Sequence, residues 1–214
     1  MTARRVVAGA LAGLVLAGGP VAAQSVEPSD AGAATEVAPP ELPRVYEGAS
    51  EWGAAIGYGA GITLLDSTGG QRYALPMLSW GRVLSGLRGP SWFRGRFEWA
   101  VEVVPFFAQQ VPETAYGAGV SPLVWRWNFQ ERGAAAPFGE VGGGGLWTTQ
   151  PVPAGTTRTN FTVHMSAGVR VFGAGRNALV VAYRFDHISN GNRLARNPGV
   201  NAHMVVLGWS RLQP

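Results

Sequence analysis

The chain has 214 residues, a formal net charge of +4, 31 glycines, eight tryptophans and no cysteine. The missing cysteines exclude a disulfide framework, a thiolate nucleophile and a cysteine-ligated metal. All 17 cationic residues are arginine and they form no basic run, which argues against a nucleic-acid partner.

The first 23 residues read as a secretory signal peptide. Arg4 and Arg5 give a positive start, Val6 to Leu16 an apolar core, and Val21-Ala22-Ala23 small residues at a cleavage spacing. An uncleaved anchor helix is the alternative, but Gly9, Gly13, Gly18, Gly19 and Pro20 leave its apolar run short of the roughly 18 residues a span needs. Cleavage after Ala23 leaves 191 residues, with 15 arginines against 13 acids and a net charge of +2. Residues 24–48 carry Pro28, Pro39, Pro40 and Pro43 and read as a disordered or extended lead. Residues 49–214 are expected to form one domain.

From Trp52 onward, eight strand-like segments are separated by turn signals such as Asp66-Ser67-Thr68-Gly69-Gly70 and Gly173-Ala174-Gly175. They fall at about 51–64, 71–84, 96–108, 117–129, 138–148, 159–173, 177–189 and 201–212. None has a helical period. Each has one large apolar face and one small or charged face. Phe97, Trp99, Val101 and Val103 oppose Glu98 and Glu102, while Trp125 and Trp127 oppose Arg126 and Asn128. Phe161, Val163 and Met165 oppose His164 and Ser166. The interior of an eight-stranded barrel has little room, so the aromatic face suits lipid and the small, charged face suits the lumen.

The fold class expected is therefore all-β, an eight-stranded antiparallel up-and-down transmembrane barrel. A soluble lipid-binding barrel is the alternative. An even strand count puts both termini on the periplasmic side. The seventh strand then rises to the outer rim, and residues 190–200 form an extracellular loop.

On that seventh strand, His187 and Ser189 share a face with Leu179, Val181, Tyr183 and Phe185. The only plausible nucleophile–base pair of the chain thus faces lipid; the plainer alternative is a polar pair at headgroup level. No His/Asp/Glu spacing suggests a metal. Gly142-Gly143-Gly144-Gly145 lies in a strand pattern with no helix after it, which favours close packing over a phosphate loop.

The run Tyr183-Arg184-Phe185-Asp186-His187-Ile188-Ser189-Asn190-Gly191, followed by Asn197-Pro198-Gly199-Val200-Asn201, resembles the lipid A 3-O-deacylase (PagL-like) family of outer-membrane acyl hydrolases. The resemblance implies a serine esterase that removes the acyl chain ester-linked at position 3 of lipid A. Ser189 would be the nucleophile and His187 its general base. Asn201 stands where the family pattern has a Glu that orients the His. Asn197 matches the family's oxyanion-binding side chain, with Asn190, Gly191 and Asn192 as further donors. Arg193 and Arg196 flank the site, either as holders of lipid A phosphates or as solvated loop charges. No cofactor or metal is implied. The implied partners are lipid A or lipopolysaccharide as substrate, outer-membrane lipid and the barrel assembly machinery, with a homodimer left open. Asn201 favours the competing reading, a non-catalytic structural or adhesive barrel.

Overall fold

The computed structural model describes residues 43–195 and 197–214. The expected signal peptide, most of the expected lead and Arg196 lie outside the described residues. Eight strands follow in chain order: β1 Ser50–Ile62, β2 Arg72–Val83, β3 Gly95–Val111, β4 Ala115–Phe129, β5 Ala135–Thr148, β6 Thr159–Phe172, β7 Asn177–Ser189 and β8 Val200–Gln213. A three-residue 3-10 turn, Ser91–Phe93, interrupts the β2–β3 connection. Each strand pairs antiparallel with the next, and β1 pairs with β8, closing an up-and-down barrel.

The pleat sorts the side chains as the alternation implied. Trp52, Ile56, Leu123, Trp125, Trp147, Phe161, Met165, Leu207 and Trp209 stand exposed on the outside. Glu51, Glu98, Glu102, Glu140, Arg170, Arg184 and Asp186 are buried within. An apolar belt around a closed sheet with a polar lumen is the surface of an outer-membrane barrel.

Ion pairs fill one part of the lumen; the rest is an apolar cluster of Tyr73, Leu75, Met77, Phe107, Leu146 and Met204, large side chains where the alternation implied only small or charged ones. Arg126 reaches Glu51, Glu98 and Glu140 at 2.8, 2.7 and 2.8 Å. Arg170 grips both carboxylate oxygens of Glu51 at 2.5 Å and Asn128 at 2.7 Å, above the Phe138 ring. Arg184 takes Glu102 at 2.8 and 2.7 Å and Glu140 at 3.1 Å. Charges withdrawn from water are tolerable only when paired and hydrogen-bonded in this way. The lumen cavities left, about 50 and 30 Å³, are too small for a lipid, which disfavours the soluble carrier reading.

Two prolines redirect the pleat. The β3–β4 register shifts between Val104 and Phe107, around Pro105, and the β4–β5 register shifts between Val120 and Leu123, around Pro122. Proline cannot donate to the ladder, so it survives inside a sheet at a bulge. The extra residue switches the buried set on β3 from Glu98 and Glu102 to Phe107 and Gln109. On β4 it switches from Ala115 and Ser121 to Val124 and Asn128.

At the rim where β1 begins, Val45 and Ala49 are buried with Val83, Ala136, Phe172, Ala178 and Leu212. Arg44 lies over the Phe172 ring and Arg176 over that of Tyr46. Residues 43–48, which the sequence assigns to the lead, are therefore packed onto this end of the barrel.

Candidate active site

His187 and Ser189 lie near the top of β7, half-buried on the outer face. The register sets His187 opposite Asn201 of β8 and Ser189 opposite Phe161 of β6. His187 Nδ1 is 2.7 Å from Asn201 Oδ1, and Asn201 Nδ2 donates to the Leu64 carbonyl at 3.2 Å. The second bond fixes the first. Turning the carboxamide over would set its oxygen against the Leu64 carbonyl oxygen, two acceptors facing each other. Asn201 Oδ1 therefore faces His187 and accepts its Nδ1 proton, which leaves Nε2 as the basic nitrogen.

Leu64 belongs to the β1–β2 loop, and that loop is tied down. Ser67 Oγ accepts the Leu64 N–H at 3.1 Å. The Thr68 N–H and hydroxyl both donate to the Gly199 carbonyl, at 3.3 and 3.4 Å. Gly199 has φ +65°, and a Cβ there would stand 3.1 Å from His187 Cε1 and 3.8 Å from Nε2. Glycine is required both for the left-handed backbone and for the imidazole lying against it. Gly199→Val is expected to turn the ring and cut the rate of any reaction using Nε2 by roughly 10²-fold, since small misplacements at a reacting centre cost that much. Steady-state kinetics on folded protein would check this, and an unchanged rate would mean the Gly199 contact does not position the ring.

The chain after Ser189 makes a tight turn. Gly191 and Asn192 have φ +63° and +59°, and the Arg193 N–H donates to the Asn190 carbonyl at 3.4 Å, the signature of a type I′ turn. Asn197 braces it: its Oδ1 accepts the Asn190 N–H and its Nδ2 donates to Asn192 Oδ1, both at 2.9 Å. Among the described residues, the N–H groups of Gly191 and Asn192 form no hydrogen bond.

Arg193 is stitched into the same structure. Its Nε donates to the Asn190 carbonyl at 2.9 Å, its Nη2 to the Thr159 carbonyl, and its guanidinium lies 5.1 Å over the Phe161 ring. Arg193 thus anchors the turn to β6. Arg196 lies outside the described residues.

The structure brings His187, Asn201, Gly199 and the Asn197-braced turn together beside Ser189. Among the described residues no hydrogen bond joins the Ser189 hydroxyl to His187, a contact that commonly tightens only with substrate present. Asp186 faces the lumen, where it accepts from the Tyr73 hydroxyl at 2.9 Å, so it does not reach His187. His203 pairs through Nδ1 with the Tyr183 hydroxyl and stands edge-on to Phe185. No cluster of metal-ligating residues occurs among the described residues. Sequence reasoning missed Leu64, whose contribution is a backbone carbonyl without a side-chain signal.

The family model of lipid A 3-O-deacylase (PagL) matches residues 69–210, well over half the chain. Among solved structures, the outer membrane enzyme PagL superposes with a TM-score of 0.52 at 15% identity, covering 74% of this chain and 97% of that one. Neisserial surface protein A superposes with a TM-score of 0.48 at 14% identity, covering 78% of this chain and 98% of that one. No curated protein matches the sequence. At such identities the solved structures speak to the fold alone. The family match runs from the start of β2 into β8 and includes His187, Ser189 and Asn201; the chain belongs to the lipid A 3-O-deacylase (PagL) family.

Proposed function

We propose that this outer-membrane barrel is a serine esterase that hydrolyses the acyl ester at position 3 of lipid A, exported through a signal peptide cleaved after Ala23. The observation that carries the reading is the chain Leu64 carbonyl, Asn201 carboxamide, His187 imidazole, fixed at 3.2 and 2.7 Å beside Ser189 on the lipid-facing surface. With both termini periplasmic, this site lies in the outer-leaflet half of the membrane, where lipid A is found.

Ser189 Oγ attacks the ester carbonyl carbon while His187 Nε2 takes the hydroxyl proton. The carbonyl becomes an oxyanion, for which the free Gly191 and Asn192 N–H groups and the remaining Asn197 N–H are the donors. Collapse of this intermediate breaks the bond to the sugar oxygen, which leaves with the proton held by His187. Water, deprotonated by His187, then releases the fatty acid from Ser189 and restores the hydroxyl. Asn201 keeps the ring in the productive tautomer through all four proton transfers. It does not neutralise the imidazolium by charge, as a carboxylate would.

The test is release of a free hydroxy fatty acid from purified lipid A by the folded barrel in detergent micelles. Release supports the esterase, and intact lipid A after long incubation with folded protein sinks it. Asn201→Ala is expected to lower the rate by roughly 10²- to 10⁴-fold, because a mis-set His tautomer costs about that much. A rate within threefold of wild type would mean that Asn201 does not orient His187.

A further inference from the structure

A second site lies on the opposite half of the outer face. One register line crosses four strands as Trp127, Gly139, Ala167 and Tyr183. Neighbouring strands are about 4.8 Å apart, so the two small residues leave a trough two strands wide between aromatic walls. The cavity there measures about 740 Å³, within the roughly 300–1,000 Å³ span of small-molecule sites. Its wall is built up deliberately. The 3-10 turn of the β2–β3 connection sets Phe93 on the Trp127 ring at 5.2 Å, nearly parallel, and the Trp127 indole N–H donates to the Phe93 carbonyl at 3.1 Å.

Toward the rim that carries the termini, Phe129 is shared between the trough and a neighbouring polar pocket of about 420 Å³ lined by Arg94 and Arg132. Among the described residues, neither guanidinium has a hydrogen bond or an ion pair. Glu131, the acid beside them, is engaged elsewhere: it accepts the Val45 N–H at 2.5 Å and faces Arg44 at 3.9 Å. An apolar trough that opens to the bilayer and ends at two uncommitted cations at headgroup level is complementary to acyl chains carrying a phosphate. Arginine supplies paired donors to phosphate oxygens.

We propose that this trough and pocket form a binding site for an anionic glycerophospholipid of the periplasmic leaflet, with acyl chains against Gly139 and Ala167 and the phosphate on Arg94 and Arg132. The site uses no residue of the esterase reading, apart from the orientation that makes this rim periplasmic.

The test is native mass spectrometry of the full protein released from micelles doped with phosphatidylglycerol, with phosphatidylcholine of the same chains, or with lipid A. Wild type is expected to retain one phosphatidylglycerol in preference to the other two. Arg94→Gln/Arg132→Gln is expected to lose that preference, at about a factor of five for each arginine near an anionic headgroup. Ala167→Trp, which fills the trough, should lower retention of both glycerophospholipids alike, while Arg158→Gln on the other rim should change neither. Equal retention of phosphatidylglycerol and phosphatidylcholine by wild type overturns the proposal. So does a preference for lipid A, or a double variant that keeps its selectivity in a folded barrel.

Discussion

Ser189→Ala is expected to lower fatty acid release from lipid A by roughly 10⁴- to 10⁶-fold while the barrel folds and inserts as before. The hydroxyl is half-buried on the outer face of β7 and holds no strand contact that a methyl group would break. His187→Ala is expected to cost nearly as much. The double variant should be no worse than either single one, because nucleophile and base act as a unit. A residual rate over water would remain from the oxyanion donors after Ser189. Kinetics of the three variants, with heat-modifiable gel mobility as the folding control, would check this. Additive losses would mean that His187 and Ser189 do not work as a pair.

The largest effect on stability is expected in the lumen. Arg170→Met removes the partner that holds both oxygens of buried Glu51 and the Asn128 side chain. Glu51 keeps Arg126, but its buried carboxylate then loses one of its two guanidinium partners. Breaking one side of such a buried pair costs about 3–5 kcal/mol. Urea unfolding from lipid vesicles would read this as a lowered midpoint. Adding Glu51→Gln should recover part of the loss, since deleting a charge pair together costs less than orphaning one member. An unchanged midpoint in Arg170→Met would mean that the network contributes little.

Much of this architecture is legible in the sequence because a barrel wall obeys a single rule, alternation between lipid and lumen. That rule identified the strands and assigned Glu98, Glu102 and Arg126 to the interior, where they join the ion-pair lattice. It carries no information at Pro105 and Pro122, where a bulge flips the inward set. It is equally silent on residues 43–48, whose proline-rich neighbourhood hides Val45, a side chain buried at the barrel mouth.

The site was legible through its side chains and opaque in its backbone. Strand parity sets His187, Ser189 and Asn201 on one face, the resemblance to the family singles them out as the candidate site, and the structure adds their register. The carboxamide of Asn201 is oriented by the Leu64 carbonyl, 137 residues away in the chain. A carboxylate in the same pose would set a second acceptor oxygen against that carbonyl, whereas the carboxamide has one acceptor for His187 and one donor for Leu64. Asn197 and Arg193 also gained meaning from geometry: both spend hydrogen bonds on the Asn190–Arg193 turn.

Mass spectrometry of lipid A extracted from outer membranes carrying the wild-type chain or Ser189→Ala tests the central claim most directly. The expected result is loss of a single hydroxyacyl chain, mapped by fragmentation to position 3, with wild type alone. Intact lipid A with folded, inserted wild-type protein would contradict the esterase account, and so would the same loss with Ser189→Ala.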